Sequence, residues 1–314
     1  MFLEGGPSSR PGSGIIGIAQ TFSRWDLLAG SLSVFHWKRK QRKIFMDAEG
    51  GFEMAEFQEG TLDTLMERLC NSISDFDPEW VKRCVPATEE QIQQLQDILA
   101  EYHYTIPAAY LYYLRKMGKD DGDLLERELD FCEADIDTVL ELQNEEDLEK
   151  GLLCFAYSDP FTIGFYMKLS SMNDNPSVVT DWEEKNAESF EKYLFQRAFH
   201  MYQKSFTHSY FDNSNSVCHE EKDRDKCRTC PRRWITAKER MDWVVGTAQS
   251  YGIRQAWFSD QTHFICCHSN YAFEIKVCEG YSVKFCCNDD KLLKQVRHSF
   301  YSFGAEFFDI ISKL

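Results

Sequence analysis

The apolar segment Ile15 to Phe35 is interrupted by Gln20, Arg24 and Asp26, so it fails as a membrane span, which needs about 20 apolar residues. The same interruptions break the hydrophobic region of a secretory signal. Neither a membrane anchor nor an export signal is therefore expected. The 12 cysteines are expected as reduced thiols in a cytoplasm, most of them packed as small hydrophobes. Also missing are a P-loop, a dinucleotide-binding glycine fingerprint, a zincin helix and a Gly-x-Ser-x-Gly elbow, and with them the commonest catalytic frameworks. Basic residues are scarce: 35 Lys and Arg stand against 51 Asp and Glu, leaving a net charge of −16. Nucleic-acid binding needs a basic stripe to meet phosphates, so that class is excluded.

What the chain has is apolar mass. Hydrophobic residues make up 43%, with 24 Phe, 14 Tyr and 7 Trp among 314 residues. That composition predicts well-packed α+β structure, with room for two ordinary domains. The organising stretch is Thr88 to Gly118. Thr88-Glu89-Glu90-Gln91 has the form of a capping box. Ile92, Leu95, Ile98, Leu99 and Tyr102 follow at helical spacing. Ile106-Pro107 restarts the pattern, with Pro107 expected in the first turn. Tyr110, Leu111, Tyr113, Leu114 and Met117 form the second apolar face, and Gly118 is the expected residue just past its end. A helix pair of this kind predicts a sheet to cover it.

Downstream, Gly151 to Asp159 and Phe161 to Leu169 read as paired strands, and Pro176 to Asp181 as a third. Ser189 is expected to cap a helix through about Gln203. Together with the capped helix pair, these segments resemble the SUKH superfamily (Smi-one/Knr-four type) over roughly residues 60–205. The resemblance implies a curved, mainly antiparallel sheet packed by helices. In function it implies a bacterial, non-catalytic immunity protein that binds and neutralises a cognate toxin. The alternative within the family is a regulatory interaction protein with a housekeeping partner, as in the fungal members.

The charge excess is local. Asp120 to Glu149 holds 14 acidic residues and the single basic residue Arg127, a net of −13. One reading is a solvated surface; the other is a docking face for a basic protein, reached by fast steered association. Nuclease toxins tend to be basic, which suits an acidic inhibitor. Asp120, Asp121, Asp123, Glu126 and Glu128 are the candidate rim charges, and Phe131 is a candidate apolar anchor among them. Between 124 and 142, strand-like pieces such as Asp135 to Leu140 are expected.

The domain boundaries read as a leader over 1–53, a SUKH-like domain over 54–207, a polar linker over 208–233 and a small α+β domain over 234–314. Glu49-Gly50-Gly51 can be encoded by a purine-rich ribosome-binding sequence, which makes Met54 a candidate start. The basic run Lys38 to Lys43 reads as a solvated tail. In the linker, Cys218 and His219 with Cys227 and Cys230 have the spacing of a structural zinc site, the one cofactor the sequence offers. In the last domain strands are expected at Ala256–Ser259, His263–His268, Tyr271–Val277 and Tyr281–Cys287. Cys266, Cys267, Cys286 and Cys287 are expected as core thiols, the alternative being a nucleophile served by His263 or His268.

Overall fold

A computed structural model describes residues 57–125, 131–159, 163–170, 173–181, 185–214, 237–277, 281–300 and 305–314. The chain divides into Met1–Gly51 and Phe52–Leu314. The first unit, with the basic run and the leader, lies outside the described residues.

The second unit mixes helices with antiparallel sheets. Four helices come first: α1 (Leu65–Ser74), the single turn α2 (Trp80–Arg83), α3 (Glu89–Glu101) and α4 (Ala108–Met117). The reciprocal capping box forms at the start of α3: Thr88 accepts from the Gln91 backbone N–H, and the Gln91 side chain accepts from Thr88 N. Strand β1 (Phe131–Glu133) is followed by two short helices, α5 (Ile136–Leu142) and α6 (Glu145–Glu149). Strands β2 (Leu152–Asp159), β3 (Ile163–Lys168), β4 (Val178–Thr180) and β5 (Lys185–Ala187) then join β1 in a five-stranded sheet, in the order β1-β2-β3-β4-β5. All its pairings are antiparallel, and β2 carries a bulge between Cys154 and Ala156.

Helix α7 (Phe190–Lys204) closes this half. Ser189 caps it by accepting from Lys192 N. It is apolar on more than one side, which suits a helix between two layers. Phe190 and Tyr193 meet Phe155 of the first sheet edge-on at 5.3 and 5.6 Å. Phe195 and Phe199 meet Phe258 at 5.9 and 6.3 Å.

The second sheet has the order β6-β9-β8-β7, built from β6 (His208–Ser214), β7 (His263–His268), β8 (Tyr271–Val277) and β9 (Tyr281–Cys287). Helices α8 (Ala237–Ser250), α9 (Asp290–Phe300) and α10 (Ala305–Ile311) complete the chain. One face of this sheet packs Phe264, Phe273, Ile275 and Phe285 with Val244, Val296 and Phe308 of those helices. The other face sends Ile265, Cys267 and Ala272 into the core that holds α7 and the first sheet. Polar ties span the same seam: Gln196 Nε2 donates to Phe258 O at 3.1 Å, and Tyr202 Oη to His268 O at 2.7 Å. Both halves of the described chain thus share one core through α7.

The segment before α1 is strapped in by a single guanidinium. Arg68 donates to Gln58 O, Thr61 O and Thr64 Oγ1 and pairs with Glu191. It lies 5.4 Å from the Phe195 ring and 5.6 Å from that of Trp257. Trp257 Nε1 in turn donates to Phe57 O at 2.8 Å.

Several local expectations are corrected. Asp135 to Leu140 starts a helix: the Asp135 carboxylate accepts from Asp137 N and Thr138 N, which launches α5. Ala256 to Ser259 forms turns, because Ala256 N and Ser259 bond to the β7 backbone at Ile265 through isolated links. The polar stretch from His208 opens as β6, paired along its whole length with β9. Pro107 stands just before α4 as its cap residue, its ring holding φ at −58° while ψ is 142°. Gly118 has φ at −68°, so the helix end does not use left-handed backbone there.

Candidate partner-binding surface

The loop after α4 divides the predicted rim charges by direction. Val85 and Asp120 form a bridge, with Val85 N donating to Asp120 O at 2.8 Å. The Asp120 side chain accepts from Gly122 N at 2.9 Å and remains exposed. Gly122 takes φ +62°, and a Cβ there would lie 2.8 Å from Trp80 Nε1. That close approach lets the buried Trp80 indole donate to Asp121 O at 3.0 Å. Asp121 is not a rim charge. Its carboxylate turns inward and accepts from Tyr113 Oη at 3.1 Å, Leu124 N at 3.1 Å and Leu125 N at 3.2 Å. Burial pushes its pKa up to about 6 against the pull of those donors. Asp123 is exposed. Glu126, Glu128 and the Phe131 side chain lie outside the described residues; the Phe131 backbone opens β1 opposite Asp159.

The larger acidic surface is helical. Ile92, Leu95 and Leu99 turn inward and leave Glu90, Asp97 and Glu101 of α3 exposed. At one end of α3, Gln91 Nε2 donates to Asp137 of α5, which also pairs with Lys119. At the other end, Glu145, Glu101 and Glu149 crowd the Tyr102 phenol; desolvation and then their charge raise its pKa. Carboxylates of α3, α5 and α6 therefore share one side of this half. Their nearest cations, Lys119, Arg115 and Lys150, make exposed pairs with Asp137, Glu89 and Glu146. Pairs of that kind neutralise little of the field.

The candidate nucleophiles are placed for packing. Cys266, Cys267, Cys286 and Cys287 are all buried, because helices or the first half cover the sheet where they sit. Burial raises the Cys266 pKa to about 12 and that of Cys267 further, so these thiols stay protonated. His263 interacts with Asp260 at 3.3 Å, and the His268 ring stacks on Tyr271 with centroids 4.5 Å apart. Among the described residues no group of three His, Cys, Asp or Glu side chains is arranged to hold a metal ion. Cys218, His219, Cys227 and Cys230 lie outside the described residues.

One polar chain escaped the sequence reading. His200 of α7 stands between Arg197 and Glu274: its Nδ1 is 3.3 Å from Arg197 Nη1 and its Nε2 3.1 Å from Glu274 Oε2. Arg197 also donates to Leu125 O at 3.1 Å. A neutral imidazole satisfies both neighbours, accepting from the guanidinium and donating to the carboxylate. Burial lowers the His200 pKa to about 4, consistent with that tautomer. The only sequence signal was the three-residue spacing of Arg197 and His200 on one helix.

No known family profile, curated protein or solved structure matches the chain.

Proposed function

We propose that this protein is a non-catalytic binding module whose first half captures a basic protein, with the SUKH-like reading of an immunity protein against a cognate toxin as its most specific form. The observation that carries the proposal is the acidic side formed by α3, α5 and α6, where Glu90, Asp97, Glu101, Glu141, Glu145 and Glu149 are exposed. A partner rich in Lys and Arg would be steered toward such a field and held by rim charges. The raised thiol pKa values support binding over nucleophilic turnover.

The test is co-expression of the full chain with the product of the gene adjacent to its own, followed by pull-down at low and high salt. The proposal expects a complex that weakens as salt rises. Salt-independent association, or none with any basic partner, would count against it.

A further inference from the structure

Strand β3 alternates, and its two faces have different fates. Phe165 and Met167 enter the core, which sends Gly164, Tyr166 and Lys168 to the outer face. Antiparallel register sets Glu133 of β1 opposite Tyr157 of β2, and Tyr157 opposite Gly164. Asp181, just past β4, completes the row by accepting from Gly164 N at 2.8 Å. A Cβ on residue 164 would lie 2.6 Å from Asp181 Oδ1 and 2.6 Å from Tyr166 Cε2. The bare backbone is what lets the carboxylate reach in and the Tyr166 ring fold back along its own strand. Desolvation raises the Tyr166 pKa, and the nearby negative charges of Asp181 and Asp147 add to this. The phenol therefore keeps its proton beside Asp181.

The result is a carboxylate held by the Gly164 amide yet exposed, beside two partly buried aromatic rings. No cation pairs with Asp181 among the described residues. A second exposed carboxylate, Glu133, stands at the far end of the row. Three strand spacings separate the two, about 14 Å. A guanidinium matches this chemistry best, because its plane stacks on a ring while its fork meets the carboxylate. An ammonium offers only a point charge.

We propose that the outer face of the first sheet, floored by Tyr157 and Tyr166 and bounded by Glu133 and Asp181, is a docking surface for arginine side chains of the basic partner protein. The assignment rests on the proposed function, that of capturing a basic protein, and places its arginine contacts on the sheet face of the same half.

The test titrates a tri-arginine peptide, and separately a tri-lysine peptide, into the full chain while following affinity and the Gly164 amide resonance by NMR. The expected result is a Gly164 shift with tri-arginine, weaker binding of tri-lysine, and loss of roughly tenfold in affinity for Asp181→Asn. Paired Glu145→Gln and Glu149→Gln substitutions should change affinity less than about twofold, as expected of rim charges. If Asp181→Asn binds like the wild type while the α6 pair loses affinity, the sheet face is wrong and the acidic helical surface stands. If neither peptide binds in a salt-sensitive way, both readings fall. Thermal unfolding of each variant confirms that the fold is intact.

Discussion

Strand β3 of the first sheet and strand β8 of the second each lie inside an antiparallel sheet, with a neighbour on either side. Their exposure differs. Along β8 only Lys276 is less than buried, because α7 covers one face and α8 to α10 the other. Along β3 the outer residues Tyr166 and Lys168 reach solvent. The second sheet therefore acts as a buttress that stiffens α7 from behind. The first leaves part of its outer face exposed, at Tyr157, Tyr166, Lys168 and Asp181, and the acidic helices stand in the same half. Binding in this molecule is expected where burial is incomplete.

The sharpest way to break this comparison is to ask whether the buttress is needed. Phe258→Ala removes a ring that packs on Phe57, Phe195 and Phe199. It should cost about 3–5 kcal/mol, read by urea denaturation. Both halves should unfold in one transition; two separate transitions would show that the shared core does not couple them.

The Arg197–His200–Glu274 chain crosses the same seam, and Glu274→Ala should cost about 2–3 kcal/mol by stranding its partners. Its pH signature has a definite sign. The His200 pKa is lowered on folding, so the unfolded chain binds the extra proton first. Stability should fall as pH drops from about 6.5, the unfolded histidine value, toward about 4, and His200→Gln should flatten that slope. Asp121 acts oppositely: its raised pKa makes its contribution full at low pH and lost as pH rises through about 6. Comparing His200→Gln with Asp121→Asn separates the opposing effects.

Gly164→Ala places a methyl against Asp181 and Tyr166. A loss of about 1–2 kcal/mol is expected from such overpacking, with the arginine response lost as well. Thr88→Ala removes one half of the capping box and should cost about 1 kcal/mol, the smallest of these effects, without altering binding.

What was legible in the sequence was local. The Thr88 and Ser189 caps, the core positions of α3 and α4, and strands β7 to β9 follow from spacing within a few residues. Helix α5 was misread because seven residues fit a strand or a helix equally well; the Asp135 cap was the overlooked signal. A count of charges could not tell that Asp121 turns inward while Asp120 stays out. Gly122, whose positive φ brings Trp80 onto that loop, was the residue to weigh. The outer face of the first sheet depends on register between four segments, and only the Gly164-x-Tyr166 pattern hinted at it. The seam at α7 joins residues more than 60 positions apart, beyond any local periodicity.

The central claim is that the first half grips a basic protein through charge. Calorimetry with the adjacent gene product tests it most directly, comparing the wild type with a chain carrying Glu101→Lys, Glu145→Lys, Glu149→Lys and Asp181→Lys. The account predicts salt-sensitive binding that the reversed charges abolish. Equal affinity for both chains, unchanged by salt, would contradict it.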